Sequence, residues 1–212
     1  MNAFRRLLLL SSSLALLYTG AVAQEYFTAT ITHDQETGGA GALPLLTSTG
    51  GTRPLSYGSA QFILNEAATE LSFTATIFNI DVTGTQTPND TNDDLGAAHI
   101  HAAAFGASGG VVWGFFGAPD NDTTGVPFVA TPFTNAVGGS FSGTWDLIEG
   151  NNTTLALQLA NIRAGNTYIN FHTPQFRGGE IRGQIVPDAG STAAMLGLVV
   201  IGLLGMHRRL KR

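Results

Sequence analysis

Residues 161–185 read NIRAGNTYINFHTPQFRGGEIRGQI. Tyr168, Asn170 and His172 alternate with Ile169 and Phe171, the period of two that sends successive side chains to opposite faces of a strand. Thr173-Pro174 ends that strand, because proline has no N–H for the ladder and restricts the residue before it. Gly178-Gly179 turns the chain. Glu180 to Val186 then alternates again, with Ile181, Gly183 and Ile185 on one side and Arg182 and Gln184 on the other. The stretch predicts a strand, a loop and a second strand.

The rest of the body has the same character. The chain has 212 residues, 43% hydrophobic, with 27 glycines, 13 phenylalanines and no cysteine. Short strands joined by Gly, Asn and Asp turns fit that composition. Glu25 to His33 alternates as a first strand, and Thr37 to Gly58 reads as a long loop. Ser59–Asn65 and Glu70–Asp81 form a hairpin, with Leu71, Phe73, Ala75 and Ile77 inward and a bulge expected near Phe78. Ala97–Ala104, Gly110–Phe116 and Ser140–Leu147 are further strands. Thr154 to Ala160 reads either way: the Leu155, Leu157, Leu159 spacing favours strand, whereas Ala156, Gln158 and Ala160 favour helix. The expected architecture is all-β, an antiparallel sandwich or flattened barrel of about eight to ten short strands.

Two ends flank this body. Met1 to Ala23 has a basic start at Arg5-Arg6, an apolar run from Leu7 to Leu17, and the small-x-small pattern Ala21-Val22-Ala23. It predicts a removable signal helix cut between Ala23 and Gln24 by signal peptidase. At the other end, Val186-Pro187-Asp188-Ala189-Gly190-Ser191-Thr192 precedes an apolar segment, Ala193 to Met206, and a basic cluster from His207 to Arg212. That order predicts a short motif, a transmembrane helix and a cytoplasmic anchor, with the body facing outward. The expected division is therefore residues 1–23, 24–186 and 187–212.

Charge and composition exclude several functions. The body keeps four basic residues, Arg53, Arg163, Arg177 and Arg182, against fourteen acids from Glu25 to Glu180, a net of −10. Nucleic acid is not an expected partner, since phosphate binding needs basic clusters. Without cysteine there are no disulfides, thiolate ligands or cysteine nucleophiles. No G-x-S-x-G, P-loop, H-E-x-x-H or dinucleotide fingerprint occurs, so no enzyme class is indicated.

The remaining chemistry is histidine. His99 and His101 are two apart on a predicted strand and leave the same face. A third imidazole, His172, would complete three ligands for zinc or copper. The competing reading has these rings hydrogen-bonding to backbone, Asn170 or Glu180 as strand-end fixtures, with no cofactor. Glu180 and Arg182 share a strand face and are expected to form a structural ion pair. The loop Asn89–Asp94 has oxygen donors but lacks EF-hand order, so a solvated loop is expected.

The two histidine blocks also carry a resemblance. N-I-x-x-G-x-x-Y-x-N-x-H-T followed by G-G-E-I-R-G-Q-I, with AAHIHAAAFGASGGVVWGFFG upstream, resembles the CHRD (chordin) domain over roughly residues 25–186. One departure is Ala102-Ala103, where such domains usually have Gly-Pro. The resemblance implies a surface module that binds a protein or polysaccharide, and with no catalytic constellation in the sequence no enzymatic activity is expected of it. The tail resembles the VPDSG and PEP-CTERM sorting signals. That likeness implies processing by an exosortase-like membrane enzyme and delivery to the cell surface or extracellular matrix.

Overall fold

The computed structural model describes residues 23–37, 43–188 and 190. Among them are nine strands and one helix: β1 (Glu25–Thr32), β2 (Tyr57–Leu64), β3 (Glu70–Phe78), β4 (Ala97–Ala102), β5 (Val111–Phe116), β6 (Val129–Pro132), β7 (Gly138–Asp146), α1 (Leu155–Arg163), β8 (Thr167–His172) and β9 (Ile181–Pro187). All nine strands belong to one antiparallel sheet in the order β5-β4-β8-β9-β1-β2-β3-β7-β6. The sheet curls so that its two ends face each other, a half-barrel within the expected all-β class.

Alternation explains the curl's interior. Phe27, Ala29 and Ile31 of β1, Ala60, Phe62 and Leu64 of β2, and Leu71, Phe73, Ala75 and Ile77 of β3 all point inward and are buried. Each fully buried aliphatic or phenyl side chain is worth roughly 1.5–3 kcal/mol. Aromatic contacts close the barrel across the fold. Trp113 of β5 stacks on Trp145 of β7, centroids 5.6 Å apart and planes 6° apart. Phe141 of β7 meets Phe171 of β8 at 5.5 Å. Buried Glu149 holds both tryptophans: its Oε2 accepts from Trp113 Nε1 (3.3 Å) and its carbonyl from Trp145 Nε1 (2.7 Å). Its other oxygen takes the backbone N–H groups of Thr123 and Thr124, each at 2.7 Å, so this buried charge is hydrogen-bonded as burial demands.

Three local readings are settled by the fold. Residues 155–163 are helix, not strand; Thr154 caps it, its side chain accepting from Leu157 N. Only Leu155 and Ile162 of the helix are buried, and Leu157 stands exposed, so the leucine spacing was not a strand's inner face. The expected bulge at Phe78 is instead the end of β3, where Asn79 adopts φ 65° and turns the chain. The loop Asn89–Asp94 lies beside a buried organiser, Asp81. That carboxylate accepts from the backbone N–H groups of Thr83, Gly84 and Thr87, which hold its pKa below the ordinary value against the opposing effect of burial.

Strand β8 is buried at all six positions. Its inner face, Ile169 and Phe171, meets the core. Its outer face is polar, yet solvent does not reach it, because loops from three parts of the chain lie across it.

No described helix is long and apolar enough to cross a membrane. The expected signal helix and transmembrane segment lie outside the described residues. Ala23 and Gln24 directly precede β1, with Gln24 Oε1 accepting from Tyr26 Oη at 3.0 Å. Val186 and Pro187 end β9, and Asp188 N donates to Tyr26 O at 2.8 Å.

Candidate metal centre

The register of β4 against β8 builds the site. Ala97 faces His172, His99 faces Asn170 and His101 faces Tyr168. Side chains of directly paired residues share a face, so His99, His101 and His172 emerge together on the outer side. Two irregularities interrupt the β4–β5 ladder, between Ala98 and His99 and between Ile100 and His101; bulges of this kind re-aim side chains. One ring nitrogen from each histidine lies within 4.8 Å of the others. The residues are 4%, 7% and 9% exposed.

The hydrogen bonds of the cluster assign its lone pairs. His101 Nδ1 donates to the Gly109 carbonyl at 3.0 Å and His172 Nδ1 to the Arg177 carbonyl at 3.1 Å. A neutral imidazole has one N–H, so both Nε2 atoms carry lone pairs. His172 Nε2 accepts from His99 Nδ1 at 3.2 Å. The Nε2 atoms of His99 and His101 are buried without a hydrogen-bond partner. Two orphaned imidazole nitrogens in one cluster call for an explanation.

Burial keeps the rings neutral. Desolvation, then the charges of His172 and His101, push the His99 pKa down to about 4, against a weaker opposing pull from the Ala118 carbonyl. His172 is likewise pushed down to about 4, mainly by burial, and burial lowers His101. Each ring is therefore neutral at neutral pH and has one unprotonated nitrogen, the form a metal ligand needs.

Loops close the cluster, and glycine permits it. A Cβ on Gly114 would lie 1.8 Å from the Pro119 carbonyl oxygen and 3.1 Å from His99 Cδ2. A Cβ on Gly109 would lie 1.9 Å from the Ala102 carbonyl oxygen. Beside the cluster, Tyr168 stacks on His101 (4.9 Å, 9°) and the Arg182 guanidinium lies over Tyr168 at 4.6 Å.

The expected Glu180–Arg182 pair does not form. Glu180 precedes β9 and its carboxylate meets Arg53, Nη1 to Oε1 at 2.7 Å and Nη2 to Oε2 at 2.5 Å. Ser56 and Thr173 also donate to it. Arg182 instead donates to the carbonyls of Gln35 (2.6 Å) and Ala107 (2.9 Å). Nor do the three histidines bond Asn170 or Glu180; their outer partners are the Gly109 and Arg177 carbonyls. His33 is buried as well, its Nδ1 2.6 Å from the Glu180 carbonyl oxygen.

Arg53, Gly114 and Tyr168 were not anticipated at the site. Arg53 carried a signal, being one of four basic residues in an acidic body. Gly114 inside an apolar run carried another, since glycine within a strand marks a close approach.

Comparison with known proteins identifies two segments of the chain. The CHRD domain model matches residues 27–185, and the chain belongs to that family. The VPDSG-CTERM motif matches residues 186–210, so the body is followed by a C-terminal sorting signal. No curated protein and no solved structure matches the chain.

Proposed function

We propose that this chain is an exported, surface-sorted metal-binding module whose histidine cage holds zinc or copper. The observation that carries the reading is the convergence of three buried, neutral ring nitrogens within 4.8 Å. Metal–nitrogen bonds of about 2.0–2.1 Å imply nitrogens roughly 3.3–3.6 Å apart, so a small closure of the rings completes the site. Backbone carbonyls already hold the outer N–H groups of His101 and His172, the support that metal-bound imidazoles ordinarily have. A metal would take Nε2 of both rings and Nδ1 of His99, whose proton then moves to Nε2 on the Ala118 side.

In this reading the module binds and does not turn over a substrate. Signal peptidase cuts after Ala23, and an exosortase-like enzyme acts at the 186–192 motif, releasing the body to the surface or matrix. Metal analysis of the protein, purified without a histidine tag, tests the cage. Near-stoichiometric zinc or copper, lost in the His99→Ala/His101→Ala variant, is expected; a metal-free wild type after loading with both ions refutes it. Deleting residues 187–212 tests the sorting: the body is expected to fold but not to reach the surface.

A second surface suits a polysaccharide or protein partner. Phe105, 73% exposed, lines a cleft of about 760 Å³ with Asp34, Gln35, Arg163 and Gln184. A flat ring among hydrogen-bonding side chains is the pairing that sugars use. Phe105→Ala is expected to abolish glycan retention while leaving metal content unchanged.

A further inference from the structure

We infer that the cage is built for monovalent copper, Cu(I), in preference to a divalent ion; this rests on the metal-binding reading above. The ligand group consists of three histidines alone, with no carboxylate among its members. Three neutral imidazoles leave the full ionic charge inside a buried site. The cost of burying an ion grows with the square of its charge, so a divalent ion costs about four times a monovalent one before any coordination energy is counted.

The surroundings sharpen that difference. Arg182, 2% exposed, lies over Tyr168, which stacks on His101. Its positive charge stands one ring away from His101 and opposes a second positive charge in the cage more than a first. The Glu36 carboxyl and the Asn170 side chain both lie against Gly179, but burial pushes Glu36 up to about 7, so it supplies only part of a compensating charge.

Coordination number points the same way. Structural zinc takes four protein ligands, and catalytic zinc keeps a fourth, open position for water. Among the described residues, no fourth His, Asp or Glu joins the group. The segments bearing Gly109, Ala118-Pro119 and Arg177 close over the rings, and Gly114 is what lets Pro119 reach its position above His99. A filled-shell monovalent copper ion is satisfied by three nitrogens in a plane and needs no fourth.

The test is a competition on the full chain, purified in detergent without a histidine tag. It is loaded anaerobically with one equivalent of Cu(I) kept reduced by ascorbate, then challenged with excess Zn(II). Retention of one copper per chain, with an X-ray absorption edge of Cu(I) and three nitrogen donors, is the expected result. Displacement by Zn(II), or a four-coordinate Cu(II) signal in electron paramagnetic resonance after loading, overturns the Cu(I) assignment while leaving the cage. Retention of no metal of any kind overturns the cage itself. In Arg182→Gln the preference for Cu(I) over Zn(II) is expected to narrow about tenfold; an unchanged ratio in the folded variant removes Arg182 from the account.

Discussion

Replacing Arg53 by Met is expected to be among the most damaging single changes outside the aromatic core. The Arg53–Glu180 pair has side-chain exposures of 4% and 0%. Without the guanidinium, the Glu180 carboxylate keeps only the hydroxyls of Ser56 and Thr173 as side-chain partners. Leaving one partner of a buried pair uncompensated costs about 3–5 kcal/mol, a large part of the roughly 5–15 kcal/mol that stabilises an ordinary domain. At about 2–4 °C per kcal/mol for a domain of this size, Tm falls by roughly 6–20 °C. Glu180→Leu removes the charge that Arg53→Met strands, so the double variant costs less than the two singles together. Urea unfolding of the four proteins in that cycle measures the coupling, which is expected to be about 2 kcal/mol or more. The parallel cycle with Arg182→Met and Glu180→Leu is expected to be additive to within about 0.5 kcal/mol, because Arg182 spends its donors on Gln35 and Ala107. A larger coupling to Arg182 than to Arg53 refutes the assignment.

Three further outcomes follow from the same contacts. His99 and His172, depressed to about 4 in the fold, favour the folded state above the unfolded histidine value of about 6.5 and withdraw that stability as pH falls toward 4, by up to about 1.4 kcal/mol per pH unit for each ring. Glu36, raised to about 7, runs the other way: its buried carboxyl takes a proton before the unfolded one does, so acidification from 7 toward 4.5 favours the fold. Urea midpoints of the metal-free protein between pH 7 and 5 are therefore expected to fall more steeply in Glu36→Gln than in the wild type, and parallel profiles would contradict the offset. Thr154→Ala removes the cap of α1 and is expected to cost about 1 kcal/mol, read as a Tm loss of a few degrees. Gly114→Ala must displace the Pro119 carbonyl and is expected to cost about 1–3 kcal/mol and to weaken metal retention; a variant with wild-type Tm and metal content would show the loop to be yielding.

The barrel was legible because its signal is repeated. Every residue of the Leu71, Phe73, Ala75, Ile77 row points inward, and a period of two fixes that without knowledge of the neighbours. The helix at 155–163 was ambiguous for a reason that lies outside the segment. Its leucines match a strand's period, but α1 buries only Leu155 and Ile162, and nothing local says which leucines meet the core. Strand β6 went unread because its four residues are exposed or half-buried and leave no apolar alternation. The three histidines could be grouped from sequence because two share a strand face and the third lies in the other motif block. Their tautomers could not be, since these depend on carbonyls at Gly109 and Arg177 that fall in loops.

The misread ion pair shows what the alternation of β8 and β9 encodes. Tyr168, Asn170, Arg182 and Gln184 look like the wet face of a half-buried sheet, and polarity alone assigns them to solvent. They are instead buried, and their partners are largely loop backbone: Arg182 holds Gln35 and Ala107, Gln184 Nε2 holds the Ala103 and Gly165 carbonyls at 2.9 and 2.6 Å, and Tyr168 Oη accepts from Gly109 N at 3.2 Å. Glu180, at the same end of the sheet, draws in the 43–56 segment through Arg53 and Ser56. The outer face of the sheet is thus a second, polar core whose hydrogen bonds tie the covering loops down. The covering loops supply the carbonyls that fix His101 and His172, so the polar residues of GGEIRGQ and the histidines of the other block act on one structure. Loss of a brace such as Arg182 is expected to loosen the cage even though that side chain touches none of its ligand nitrogens.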